Sequence, residues 1–301
     1  MNQPIVNISH LCRSFDNKEA LKDINFTVEK GQVFGIVGEN GAGKTTLIKH
    51  ILGLYQAQKG QVRIFGMDPV KHPEKVLAKI GYLSEEPELP LWMTVEQILN
   101  YNAAFYENWD TAYADQLIES FRIDRSKKIK ALSKGQKARV GLCLAQAYRP
   151  DLLLLDEPSS GLDPNVRRDI LLEIINTVCE EGRSVIFSSH LLEEVERVSD
   201  HLLMLSHGEV LLSDSMESVL LKHFKCRIQH NDNNPMDELL KMNGLIHTQP
   251  VESALELNFF AEEQSILEQF QSLQIELISH RKMTFNEIFR VRSQTISGDP
   301  S

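Results

Sequence analysis

Residues 38–46 read Gly-Glu-Asn-Gly-Ala-Gly-Lys-Thr-Thr and follow the apolar run 33–37. Gly38, Gly43, Lys44 and Thr45 occupy the fixed places of the G-x-x-x-x-G-K-[ST] phosphate loop. Such a loop wraps a chain of phosphates with backbone N–H groups, and only glycine lets the backbone come that close. The whole segment Gly38, Glu39, Asn40, Gly41, Ala42, Gly43, Lys44, Thr45 and Thr46 is therefore a candidate binding surface. Lys44 reaches the β- and γ-phosphates, the Thr45 hydroxyl is a ligand for Mg²⁺, and Thr46 lies near the α-phosphate. A helix opening at about Gly43 turns its positive end toward the anion. The bland alternative is a chance match in a Gly-containing turn. Against it stand the buried-strand pattern before the loop and the helical spacing of Leu47, Ile48, Ile51 and Leu52 after it.

A chain of 301 residues has room for one large domain or two modest ones. Its net charge of −10 argues against nucleic acid as the main partner, because phosphate backbones need clustered Lys and Arg. No run of about 18 apolar residues is present to span a bilayer, and residues 1–8 lack the pattern of a secretion signal. Cys12, Cys143, Cys179 and Cys226 have no C-x-x-C spacing. They read as reduced core thiols of a cytosolic protein.

Strand-like and helix-like segments alternate along most of the chain. Residues 1–31 carry period-two alternation (Ile24, Phe26, Val28) expected of antiparallel strands. Residues 79–84, 152–155 and 184–188 read as short buried strands. Residues 94–105 have helical spacing behind a Thr94/Gln97 capping box, and the stretch from about 86 to 150 reads as mostly helical. Asp163-Pro164 is an N-cap followed by Pro at the first helical position. Residues 201–212 read as a hairpin turning at His207-Gly208. The alternation predicts a parallel sheet with crossover helices. Composition changes near Ser215, so residues 1–215 and 216–301 are expected to form a main domain and a small α/β appendage. Residues 231–235 read as a loop, and the polar tail after Ser293 is expected to fray.

Asp156 closes the buried run of leucines, and Glu157 follows it. A carboxylate at that strand end, beside a phosphate loop, is placed to hold Mg²⁺, and the next one to activate a water. Without the phosphate loop, two acids solvated at a strand end would be the better reading. Ser133 and Gln136 have capping-box spacing, so Ser133 begins a helix, and Gly135 lies at its open N-terminus. That end is a second anion site.

Ordered along the chain, these motifs resemble the ATP-binding-cassette (ABC) ATPases. Leu132-Ser133-Lys134-Gly135-Gln136 resembles the family's LSGGQ signature and Ser160-Gly161-Leu162-Asp163 its D-loop. His190 resembles the switch histidine, and Phe15 stands where the family places an aromatic on adenine. The resemblance covers residues 1 to about 215 and implies a P-loop α/β fold of ABC type. That fold has a parallel core, an antiparallel β subdomain and a helical subdomain.

It further implies ATP and Mg²⁺ as cofactors, with Thr45, Asp156 and Glu85 at the metal. Glu157 would be the base and His190 would stabilise the γ-phosphate. Two chains would meet head-to-tail, so that Ser133, Gly135, Gln136 and Asp163 complete the partner's site. The second cassette is identical or a close relative. A separate transmembrane permease would hold the pair on the inner face of the membrane.

Two positions depart from the family: Lys134 replaces a usual Gly, and Glu85 a usual Gln. Segments 105–110 and 283–289 resemble cassettes that serve exporters. The alternatives are a soluble ABC ATPase with a mechanical or regulatory role, and a P-loop kinase of a small metabolite. The absence of a coiled-coil insertion argues against the first, and Ser133–Gln136 with His190 against the second.

Overall fold

The computed structural model describes residues 3–16, 18–229 and 235–297. The chain divides into two compact units, Met1–Ser213 and Asp214–Ser301. The first opens with two long antiparallel strands, β1 (Val6–Phe15) and β2 (Lys18–Val28). Their alternation buries Val6, Ile8, Leu11, Ile24, Phe26 and Val28. Phe26 then stacks on Phe34 of β3 (Val33–Val37), with ring centroids 5.3 Å apart. All five residues of β3 are buried, as a strand covered on both faces requires. After the phosphate loop comes α1 (Lys44–Ile51), and β4 (Lys59–Ile64) returns to pair with β1. These strands form an antiparallel sheet of order β2-β1-β4.

A short α2 (Pro73–Leu77) leads into β5 (Ile80–Leu83). The helical stretch follows: α3 (Val95–Ala103), α4 (Thr111–Ser120), a single 3-10 turn at Ile129–Ala131, and α5 (Lys134–Gln146). Side chains cap all three α-helices here. Asp110 accepts from the Tyr113 N–H, while Thr94/Gln97 and Ser133/Gln136 form complete capping boxes. Next come β6 (Leu152–Leu155), α6 (Pro164–Glu181), β7 (Ser184–Ser189), α7 (Leu192–Val198), β8 (His201–Ser206) and β9 (Glu209–Ser215). His207 and Gly208 join the last two strands, and both have positive φ, as a type I′ hairpin turn demands.

The main sheet has order β5-β6-β7-β3-β8-β9, with parallel pairing from β5 through β8. Ile36, Leu47, Ile48, Ile51, Leu154, Ile186 and Leu203 lie in one buried core cluster. Parallel strands point their C-terminal ends the same way. The phosphate loop after β3, Glu85 after β5, Asp156 after β6 and His190 after β7 thus leave one edge of the sheet.

The second unit holds α8 (Met216–Lys222), β10 (His223–Gln229), α9 (Met236–Leu239), β11 (Leu245–Val251) and β12 (Ala254–Phe260). It ends with α10 (Glu263–Ser272), β13 (Leu277–Lys282) and α11 (Phe285–Ser297). From β10 to β13 the chain runs β-α-β-β-α-β, and the antiparallel sheet has order β11-β12-β10-β13. This is the ferredoxin-like arrangement. Phe224, Cys226, Ile228, Leu255, Leu257 and Phe259 alternate onto one face and build its core with Ile266 and Phe270 of α10.

The polar tail departs from expectation. α11 continues through residues 294–297, anchored by the stripe that Phe285, Ile288 and Val291 bury at helical spacing, and residues 298–301 of the expected frayed tail lie outside the described residues. Of the loop expected at 231–235, residues 231–234 lie outside the described residues. Cys12, Cys143 and Cys226 are free thiols, and the Cys179 side chain lies outside the description.

Candidate functional site

A cleft of about 830 Å³ opens over the phosphate loop. Asn40, Gly41, Gly43, Lys44, Thr45 and Thr46 line it, together with Phe15, Glu85 and Glu157. Gly43 shows why the motif needs glycine. Its φ is +110°, and a Cβ there would stand 2.7 Å from the Ala20 carbonyl oxygen. Gly41 also has positive φ, a backbone conformation found in the nests of N–H groups that bind anions. Ala42 closes the loop by donating its N–H to Glu39 O at 3.1 Å.

Lys44 is almost fully buried. Its ammonium donates to Gly38 O at 2.6 Å and Glu39 O at 3.1 Å, and pairs with Glu157 Oε1 at 2.9 Å. The other oxygen, Glu157 Oε2, meets His190 Nδ1 at 2.7 Å and accepts from the His190 N–H at 3.3 Å. One carboxylate therefore bridges the loop lysine and the histidine after β7. The backbone under Glu157 has φ +48°. For a residue with a Cβ this left-handed conformation costs about 1–2 kcal/mol, and such strain concentrates at functional sites.

Asp156 Oδ1 accepts from Thr45 Oγ1 at 3.3 Å and from Ser188 Oγ at 2.8 Å. Burial raises the Asp156 carboxyl above its usual range. The Ser188 and Thr45 hydrogen bonds act in the opposite sense, while the Glu157 and Glu85 charges push the same way as burial. Glu85 itself accepts from Ser160 Oγ at 2.8 Å.

The Thr45 hydroxyl and the Asp156 carboxylate, joined at 3.3 Å, are oxygen ligands of the kind a hard cation takes. Among the described residues no cluster of three or more His, Cys, Asp or Glu side chains could hold a metal unaided. Mg²⁺ commonly completes its shell with water and phosphate oxygens, so Thr45 and Asp156 fit it. Phe15 is 36% exposed at the cleft wall, in edge contact with Tyr55 at 5.5 Å.

Ser133, Gly135 and Gln136 are not among the residues lining this cleft. Ser133 Oγ accepts from the Gln136 N–H at 3.2 Å, and Gln136 Oε1 accepts from the Ser133 N–H at 3.1 Å. This fixes the N-terminus of α5. A Cβ on Gly135 would stand 2.8 Å from Val166, so close packing of α5 on α6 excludes larger residues. Asp163 caps α6 by accepting from the Asn165 and Val166 N–H groups. Lys134 reaches over Gly161.

Several site groups escape a sequence reading. Lys18, Ala20 and Lys22 of β2 line the cleft, and their period-two spacing was the available signal. Ser188 Oγ accepts from the Glu157 N–H at 2.8 Å and so orients the acidic pair. Only the Ser-Ser-His run at 188–190 hinted at this.

The chain is similar to known proteins. The profile of the family described as ABC transporter matches residues 21–160. The ABC transporter ATP-binding protein YtrB of Bacillus subtilis is 33% identical, over 75% of this chain and 76% of its own. The bacitracin transport ATP-binding protein BcrA of Bacillus licheniformis is 30% identical, over 81% and 80%. A solved ATP-binding subunit of an ABC transporter superposes with TM-score 0.65 at 30% identity, covering 71% of this chain and 91% of the other.

Proposed function

The chain belongs to the ATP-binding proteins of ABC transporters, and on that premise we propose that two such chains pair around ATP to energise export through a separate membrane subunit. The observation that carries the mechanism is the chain of contacts Lys44–Glu157–His190 beside the phosphate loop. Arriving phosphates compete with Glu157 for the Lys44 ammonium. Once Lys44 moves to the β- and γ-phosphates, Glu157 is free to take a proton from the attacking water. His190 keeps the carboxylate oriented and brings donors to the γ-phosphate as charge develops there. A divalent cation held by Thr45 and Asp156, with Glu85 beside them, would supply charge neutralisation on the phosphate oxygens. Phe15 offers a ring face to adenine.

The start of α5 is a capped, positive helix end that does not line the cleft of its own chain. Ser133, Gly135 and Gln136, with Asp163, are read as completing the cleft of a second cassette. Among the described residues no helix is long and apolar enough to cross a membrane, and we assign the translocation path to a separate membrane subunit. An apolar groove of about 440 Å³ lies next to Ser84, lined by Leu54, Leu77, Tyr82, Leu89 and Tyr106. Leu54 is 63% exposed. Trp92, Tyr101 and Phe105 also leave large apolar surfaces in solvent. Such patches mark partner sites, and we assign this one to the permease on the inner face of the membrane.

ATP hydrolysis per chain, followed across a dilution series, tests the pairing. It should rise with protein concentration toward a plateau. A rate per chain that stays constant down to concentrations where light scattering finds only monomer would overturn the reading.

A further inference from the structure

Glu194 lies in the first turn of α7 and is 4% exposed. Its Oε2 accepts from Ser159 Oγ and from Ser189 Oγ, each at 2.7 Å. Its Oε1 pairs with Arg167 Nε on α6 at 3.2 Å. Both serines neighbour the residues assigned to the chemistry. Ser159 stands two positions after Glu157, and Ser189 immediately precedes His190. Since Glu157 and His190 are themselves joined at 2.7 Å, the contacts close a ring: Glu157, Ser159, Glu194, Ser189, His190 and back to Glu157. The Ser189 hydroxyl is used twice, because it also accepts from the Leu191 N–H at 3.0 Å.

Packing also docks α7 besides this carboxylate. Val195 and Ser199 of the same segment already pack against Gly35 of β3, closely enough that any Cβ there would clash. Burying a charge carries a desolvation penalty that three polar contacts must offset, so an apolar residue would secure the helix more simply. The polar ring does something packing alone does not. It holds the chain on both sides of the His190–Glu157 contact, in which the ring Nδ1 and the backbone N–H of His190 both meet Glu157 Oε2. It also ties that contact to the segment running from Ser160 to Asp163. Ser160 is held on its other side by Glu85, at 2.8 Å.

We propose that Glu194 is a positioning residue for ATP hydrolysis, holding His190 and Glu157 in register through Ser189 and Ser159. The proposal rests on the reading of Glu157 as base and His190 as its partner. It implies that a shift of residues 160–163, as when a second chain engages them, reaches His190 through Glu194. Positional errors near 1 Å are enough to slow catalysis strongly while leaving binding intact.

The test compares Glu194→Ala, Glu194→Gln, Ser189→Ala and Ser159→Ala in the full-length protein, measuring kcat, ATP KM, equilibrium ATP binding and melting temperature. Glu194→Ala should lower kcat by about tenfold or more with KM within roughly twofold. Glu194→Gln keeps an oxygen that both hydroxyls can reach, and it should recover most of the loss. In the double variant the Ser159→Ala and Ser189→Ala effects on kcat should be non-additive, because both act through one carboxylate, and full additivity would overturn the proposal. That pair decides the matter even if Glu194→Ala does not fold. Unchanged kcat in a folded Glu194→Ala protein overturns the proposal. So does a parallel fall of kcat, ATP binding and melting temperature without rescue by Gln, which would mean a purely structural role. Glu157→Gln assayed alongside separates the two layers. Full turnover by that variant removes the premise, whereas an inert Glu157→Gln with a fully active Glu194→Ala overturns the proposal alone.

Discussion

Replacing Glu157 by Gln changes one atom of a nearly isosteric side chain, and the structure gives its consequences a size. The wild-type carboxylate is buried, 2.9 Å from Lys44 Nζ and 2.7 Å from His190 Nδ1. An amide in its place cannot accept a proton from water, so turnover should fall by about 10²–10⁴-fold, the usual worth of a positioned base. ATP binding should change in the opposite direction. A buried hydrogen bond to a charged group contributes about 1.5–3 kcal/mol, a neutral one about 1 kcal/mol. The phosphates would thus displace a weaker competitor from Lys44, gaining about 0.5–2 kcal/mol, or roughly 2–30-fold in affinity. The fold should survive, because Lys44 keeps its bonds to the Gly38 and Glu39 carbonyls and the backbone N–H at 157 keeps Ser188. Phosphate release and equilibrium ATP binding measured on the same preparation test both halves. Turnover within about tenfold of wild type, or weaker ATP binding, would refute the reasoning.

Other variants probe separate parts of the argument. Lys44→Ala should abolish ATP binding, and by stranding the buried Glu157 it should lower stability by about 3 kcal/mol in urea unfolding; normal ATP affinity would contradict the loop assignment. Ser133→Arg should stop turnover while leaving ATP binding by a dilute single chain intact, as equilibrium dialysis would show. If binding fell too, the signature would be acting on its own chain. His50 lies fully buried. Burial, helped by Arg13, lowers its pKa from 6.5 to about 4. Between those values the unfolded chain takes up a proton that the folded chain refuses, so stability is present above pH 6.5 and lost as pH falls toward 4. His50→Leu should remove about 3 kcal/mol of that acid-side loss, read as urea unfolding at neutral and acid pH. Equal losses in wild type and variant would sink the idea.

What could be read ahead of the structure was local. The capping boxes at Thr94 and Ser133 are short-range hydrogen bonds whose residues lie three apart. The four leucines of β6 announced burial on both faces because no polar residue interrupts them. The His207-Gly208 turn was legible because few residue pairs accept positive φ twice. Strand order was not legible. β4 returning to β1, or β3 lying between β7 and β8, depends on crossovers between segments that read alike. Nor was the four-strand order of the second unit, since its alternation specifies faces and not neighbours. In the cleft, the motif residues lie where chain direction in a parallel sheet takes them. Ser188, Ser189 and Glu194 look like an ordinary strand end and an ordinary helix start. Their contacts with Asp156, Glu157 and Ser159 arise only when β6, β7 and α7 come together. The strained backbone at Glu157 has no trace in residue type at all.

The cleft over Lys44 and the capped start of α5 do not share lining residues, and this makes genetic complementation possible. Suppose one preparation carries Glu157→Gln and another Ser133→Arg, each inert alone. In a mixed pair the first supplies an intact Ser133 to the second's intact Glu157, while the opposite junction holds both defects. Random mixing in equal amounts makes half the pairs hybrid, each with one working junction of two, so roughly a quarter of wild-type activity should return. Two broken proteins would repair one another with no change in sequence, simply by meeting.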